Sequence, residues 1–183
     1  MRIISGELKG KKILLPKDKT TRPLKDMVKE SIFNILEHSN LFSFKFKKAR
    51  ILDLFSGSGS FGLECISRGA KHVTFFENSS VALLVLNKNI DKLNCYSKIK
   101  ICKQDIFNTD LKNLKKFDLI FIDPPFKSEK ISELILKIKN SNFLNKNGLI
   151  VLHRQNNSND KFSNNFNILK EKIYGKSKIF IGN

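Results

Sequence analysis

The sequence predicts an α/β protein built on a mainly parallel sheet. From residue 49 onward, short apolar runs alternate with amphipathic stretches in a strand–helix–strand rhythm. A glycine-rich segment, 53–62, stands between the first run and the first amphipathic stretch, where such folds pass from strand to helix. A chain of 183 residues, 40% of them apolar, is also large enough to bury the core that such a sheet needs. The same figures exclude a disordered chain, a collagen-like repeat and a small disulfide scaffold.

Each element has its own signal. In residues 1–22, bases and glycine interrupt the short apolar pieces Ile3-Ile4 and Ile13-Leu14-Leu15, which predicts a basic β-hairpin. Arg22-Pro23 closes it, with the proline biasing Arg22 to extended backbone. Val28, Ile32, Ile35 and Leu36 then share one helical face. Residues 1–40 are thus expected to form an N-terminal extension of hairpin plus helix, and residues 41–183 the main α/β domain. Strands are predicted over 49–55, 72–77, 99–103, 117–123, 148–153, 167–174 and 178–181, and helices over 60–68, 79–93 and 128–138. Only Gly175-Lys176-Ser177 separates the last two strands, so they pair as a hairpin and give the sheet an antiparallel end. Residues 155–165, rich in Asn and Ser, read as a surface loop.

The charge is one-sided: 34 Lys+Arg stand against 17 Asp+Glu, a net +17. A domain this basic is expected to meet a polyanion. Lys far outnumbers Arg, and Asn and Ile are abundant, so part of the excess is compositional bias on a solvated surface. The informative share is local. Residues 1–29 hold nine bases and three acids, a net +6. Arg2, Lys9, Lys11, Lys12 and Arg22 are the expected phosphate contacts, which give affinity without reading sequence. The three Cys (Cys65, Cys95, Cys102) form no CxxC or Cys/His pair, which points to reduced thiols in a cytoplasmic protein and to no metal site. No apolar run is long enough to span a membrane, and the N-terminus does not read as a signal peptide.

Two motifs carry chemistry. Asp53-Leu54-Phe55-Ser56-Gly57-Ser58-Gly59-Ser60-Phe61-Gly62 follows a strand and opens a helix, with Gly57, Gly59 and Gly62 in GxGxxG spacing. The glycines allow a tight turn and close approach to a ligand. Glu77, ending the second strand and followed by Asn78, suits a ribose diol. On these residues alone, a dinucleotide and S-adenosylmethionine both remain open. Asp53 tilts the reading to S-adenosylmethionine, because a carboxylate there favours a cationic donor and would repel a pyrophosphate. The cofactor set is then Asp53, Phe55, Gly57, Ser58, Gly59, Glu77 and Asn78, with Asp105 to accept from an adenine amino group and Ile106 to pack on its ring.

The second motif, Asp123-Pro124-Pro125-Phe126, ends the apolar run 119–122. The two prolines have no N–H and fixed φ, so the turn presents the Asp123 carboxylate, the Pro124 carbonyl and the Phe126 ring. Two rigid acceptors can hold both N–H groups of an exocyclic amine, while the ring stacks on a base drawn out of its helix.

With both motifs in place, the chain resembles the class I amino-methyltransferases that bear an (Asn/Asp)-Pro-Pro-(Tyr/Phe) motif. Arg2-Ile3-Ile4-Ser5-Gly6, Lys9-Gly10, Arg22-Pro23, the stretch 26–36, Gly62-Leu63-Glu64 and Ser67-Arg68-Gly69-Ala70 make it similar to the RsmD family over nearly its whole length. Leu24 departs from the Thr usual there. The resemblance implies a class I S-adenosylmethionine-dependent, Rossmann-like fold with seven strands and an antiparallel C-terminal hairpin. It also implies N2-methylation of a guanine, guanine 966, in 16S ribosomal RNA of the small subunit, by a cytoplasmic monomer. Three rivals share parts of the pattern: a DNA amino-methyltransferase, a protein glutamine methyltransferase, and an inactive RNA-binding relative. A chain of 183 residues leaves no room for the recognition insertion of the first. The basic N-terminus disfavours the second. The intact Asp53, Glu77 and Asp123 argue against the third.

Overall fold

A computed structural model of the chain describes residues 1–16, 24–109, 114–125, 128–160, 162 and 166–183. Its elements run α1 (Asp26–His38), β1 (Arg50–Leu54), α2 (Ser60–Ser67), β2 (His72–Phe76), α3 (Ser80–Leu93), a short 3-10 turn (Tyr96–Lys98), β3 (Ile99–Cys102), β4 (Phe117–Ile122), α4 (Ile131–Asn140), β5 (Leu144–Gln155), β6 (Ile168–Tyr174) and β7 (Ser177–Gly182). All seven strands form one sheet in the order β3-β2-β1-β4-β5-β7-β6. The first five pair in parallel, and β7 inserts antiparallel between β5 and β6.

Alternation along each strand divides the core in two. Ile51, Leu119, Phe121, Leu149, Val151, Ile179 and Ile181 face α1, α2 and α3. Leu52, Leu54, Ile120, Ile122, Ile150, Leu152 and Phe180 face α4. Central strands buried on both faces explain their continuous apolar runs. The first core is rich in rings. Phe61 stacks on Phe121 at 3.8 Å between centroids and on Phe33 at 4.9 Å.

Two elements differ from the sequence expectation. Strand β5 begins at Leu144, ahead of the expected 148, because Leu144 pairs with Phe117 before Leu149 pairs with Leu119. The intervening residues form a bulge, since β4 advances two residues while β5 advances five. At the N-terminus the expected β-hairpin narrows to one antiparallel bridge, Arg2 with Lys12. The reason is that Ile4, Ser5, Glu7 and Leu8 spend their backbone donors on α2. The Glu64 carboxylate accepts from Ile4 N (2.7 Å) and Ser5 N (3.0 Å), and Ser67 accepts from Glu7 N and Leu8 N. Gly6, at φ +81°, is required at this contact, because a Cβ there would lie 1.9 Å from the Ser67 carbonyl oxygen.

A buried charge cluster locks the wrap. Lys29 and Glu64 are both fully buried, with their charges 3.8 Å apart. Lys29 Nζ also donates to the Arg2 carbonyl and to Ser60 Oγ. Arg68 donates to Glu64 (3.0 Å) and Glu37 (2.8 Å) while its guanidinium lies over Phe33. Ile3, Ile13, Leu24, Val28, Ile32, Phe33 and Leu36 belong to the same core as β1 and α2. Among the described residues, no helix is long and apolar enough to cross a membrane.

Candidate active site

The carboxyl ends of β1, β2, β4 and β5 open onto a cavity of about 530 Å³, within the range of pockets that enclose small organic ligands. It lies on the α2 side of the sheet and is lined by Asp53, Phe55, Gly57, Ser58, Glu77, Asn78, Asp123, Pro124, Pro125 and His153 among others. Pro16, Leu24 and Lys25, from the N-terminal segment and the start of α1, reach its edge. Of the residues singled out from sequence, the cavity therefore gathers most of the cofactor set together with Asp123 and Pro124.

The glycine-rich loop owes its shape to local strain and packing. Phe55 adopts φ 59°, a left-handed conformation that a bulky residue rarely takes. Gly57 and Gly59 follow at φ 54° and 79°, and a Cβ on Gly59 would lie 2.4 Å from Leu86. Gly62 has a different job. A Cβ there would lie 2.3 Å from the Phe75 ring, so this glycine lets α2 sit against β2. Its N–H donates to Asp53 Oδ2 at 2.9 Å.

Glu77 organises the adjoining wall. One carboxylate oxygen accepts from Gly57 N (2.7 Å), and the other from Asn78 N (2.9 Å) and Ser79 N (2.8 Å). A carboxylate has about four acceptor positions, so one remains for a ligand hydroxyl. Asp53 is almost wholly buried. Burial pushes its carboxyl well above the usual carboxylate range, the Gly62 N–H opposes this, and the charges of Asp123 and Glu77 raise it further.

Asp105 and Ile106 are not among the cavity-lining residues. Asp105 accepts from Phe107 N (2.9 Å) in its own turn, and Ile106 is buried in the α4-side core. That turn is held by Lys137, which donates to the carbonyls of Ile106 and Phe107, and by the contact of Phe107 with Phe55. Arg2, Lys9, Lys11 and Lys12 are exposed on the N-terminal wrap. Lys29, one of the nine bases of residues 1–29 but not one of the expected phosphate contacts, is buried. Arg22 and Phe126 lie outside the described residues.

Sequence reasoning missed three residues here. His153, on β5, brings Nδ1 within 2.7 Å of Asp123 Oδ1. Asn89, on α3, is buried and joins three backbone groups, donating to the Leu14 and Ser58 carbonyls and accepting from Leu14 N. Ser56 presents a buried Oγ with no hydrogen-bond partner among the described residues. A histidine ending an apolar run was the one available signal for the first.

These features test the expected cofactor. Asp53, Glu77 and Asp123 face a cavity whose lining, among the described residues, holds only one Lys or Arg, Lys25. A local excess of carboxylate suits a ligand carrying ammonium and sulfonium charges. The unsatisfied Ser56 hydroxyl offers a donor to its carboxylate. Among the described residues, no cluster of three metal-ligating side chains is present.

Fold and site together define a class I methyltransferase that uses S-adenosylmethionine. The precorrin-6y C5,15-methyltransferase of Geobacter metallireducens shares this fold at TM-score 0.70 and 14% identity, over 93% of this chain and 92% of that one. The solved structure of yhhF from Escherichia coli matches at TM-score 0.81 and 26% identity, covering 100% of this chain and 96% of that one. Ribosomal RNA small subunit methyltransferase D of Buchnera aphidicola subsp. Baizongia pistaciae is 33% identical over 174 residues, 94% of this chain and 86% of its own length. The family described as conserved hypothetical protein 95 matches residues 1–183, and the chain belongs to it, the RsmD family.

Proposed function

We propose that the protein methylates the 2-amino group of a guanine in 16S ribosomal RNA, the position corresponding to guanine 966, as a cytoplasmic monomer acting on the small subunit or its RNA. One observation carries the reading: the Asp123 carboxylate and Pro124 share a cavity with Asp53 and Glu77. When bound, S-adenosylmethionine supplies an electrophilic methyl group. Asp53, Ser56 and the Gly57–Gly59 backbone would hold its methionine end, Glu77 and Asn78 its ribose, and the turn bearing Asp105 its adenine, with Ile106 buried beneath that turn in the α4-side core.

The chain's part in the reaction is to position. Asp123 and the Pro124 carbonyl accept the two N–H groups of the guanine amine, which aims the nitrogen lone pair into the cavity. Phe126 stacks on the base, whose release from its helix costs a few kcal/mol, about what one aromatic stack returns. Asp123 or solvent takes the proton that the amine loses. The exposed Arg2, Lys9, Lys11 and Lys12, with Arg22, bind phosphates around the target, so residues 1–40 serve as the RNA-binding extension.

Mass spectrometry of small-subunit RNA from cells with and without the protein tests this. Loss of one N2-methylguanine, restored by the wild type but not by Asp123→Ala, is the expected result. Unchanged methylation in cells lacking the protein, or full restoration by Asp123→Ala, would overturn it.

A further inference from the structure

We infer that His153 is a positioning residue for Asp123: it pins one carboxylate oxygen so that the other is presented to the amine being methylated. This rests on the reaction proposed above. The placement follows from register. Ile122 on β4 pairs with Leu152 on β5, so Asp123 and His153 sit side by side one step beyond the last paired position. Both continue the alternation of Leu119, Phe121, Leu149 and Val151, and so both point to the α2 face, into the cavity.

The contact is short and well defined. Nδ1 of His153 lies 2.7 Å from Asp123 Oδ1. The imidazole is 6% exposed and the carboxylate 20%. The backbone of His153 is fixed in the sheet, where it pairs with Ile179 on β7, and its ring is almost wholly buried. It is thus the fixed partner, and Asp123 the one that solvent and substrate can reach. With Nδ1–H donating to Oδ1, the carboxylate cannot rotate about its Cβ–Cγ bond, and Oδ2 is left for the substrate N–H. Without that bond, rigid prolines would follow a carboxylate free to swing, and the two-acceptor cradle formed with the Pro124 carbonyl would lose one arm. A misplacement of about 1 Å at a reacting group can cost on the order of 100-fold in rate.

The test compares His153→Ala with His153→Asn. The asparagine amide nitrogen stands near the place of Nδ1 and can donate to Asp123; alanine cannot. Single-turnover methyl transfer is measured on small-subunit particles from cells lacking the protein, with S-adenosylmethionine affinity measured by calorimetry for each variant. His153→Ala should lose on the order of 100-fold in rate, with donor affinity and RNA KM altered less than about threefold, and His153→Asn should recover most of that loss. Independently of activity, the wild type should show a downfield His153 Nδ1–H proton resonance that disappears in Asp123→Ala.

Equal losses in the two variants, a His153→Ala rate within about threefold of wild type, or a resonance indifferent to Asp123→Ala would each overturn the assignment. Failure of the wild type to methylate guanine would instead refute the reaction reading itself.

Discussion

Replacing Glu64 with Gln should detach the N-terminal wrap. The wild-type carboxylate has four partners: Ile4 N at 2.7 Å, Ser5 N and Arg68 Nε at 3.0 Å, and the Lys29 ammonium at 3.8 Å. Its two oxygens divide them, Oε2 facing Ile4 and Lys29, and Oε1 facing Ser5 and Arg68. A glutamine keeps one acceptor and turns an NH2 group on the other pair of donors, whichever way it flips. Lys29 is meanwhile fully buried, and burial already draws its pKa below 10.5 against the pull of Glu64 and Asp26. Breaking a buried pair by removing one partner costs about 3–5 kcal/mol. In a domain of this size each kcal/mol moves Tm by about 2–4 °C, so the apo protein should melt about 6–20 °C lower. Amide exchange at Ile4 and Ser5 should accelerate by more than the global loss of stability explains. Lys29→Met should be milder than Glu64→Gln, because Glu64 keeps Arg68 and both backbone donors while the burial cost of the ammonium disappears. A Glu64→Gln loss below about 3 °C, or equal losses in the two variants, would refute this account of the cluster.

Two further variants address the cavity and the arm. Folding raises the Asp53 carboxyl above its ordinary 3.8, so the native chain holds a proton that the unfolded chain releases. That contribution is complete below 3.8 and is lost as pH rises through the folded value. Asp53→Asn should therefore melt above wild type at neutral pH, with the gap closing in acid, while calorimetry shows S-adenosylmethionine binding at least about tenfold weaker; a pH-independent difference in Tm would contradict the burial argument. Charge reversal at Lys9, Lys11 and Lys12 should weaken RNA binding and lower its salt slope by about 0.7–0.9 for each phosphate no longer neutralised. An unchanged slope would remove the arm from the RNA interface.

The strands and the glycine-rich loop were legible because their signals are local. Continuous apolar runs mark the central strands, and Gly57 and Gly59 occupy backbone that glycine favours. Glu77 and Asp123 were legible because each ends such a run at the carboxyl edge of the sheet. Lys29 counts among the nine bases of residues 1–29, yet it shares the helical phase of Ile32, Phe33 and Leu36 and so lies on the buried stripe. Composition counts a charge without knowing which face it is on. His153 and Asn89 were invisible for another reason. Their partners are 30 and 75 residues away, and such pairings follow from strand order, register and packing, which no local pattern encodes. The reduced hairpin is a case of tertiary override. Residues 3–13 had strand character, but α2 offered Glu64 and Ser67 as better partners for their donors.

Much of the sequence signature that marks the family thus builds architecture, and the architecture joins the two halves of the site. Gly6, Lys29, Glu64, Ser67 and Arg68 fasten the first eight residues to α2, the helix that the glycine-rich loop opens. Asn89 then ties Leu14 to the Ser58 carbonyl inside that loop. The basic arm and the wall of the cavity are therefore parts of one hydrogen-bonded structure, and the arm cannot shift without disturbing the loop. This also separates the charges usefully. Arg2, Lys9, Lys11 and Lys12 are spread over the outside of the wrap, while Asp53, Glu77 and Asp123 line the cavity beneath its end. Under the proposed function, a polyanion would be drawn to the outer surface and a cationic donor to the inner one, each favoured at its own place and opposed at the other's.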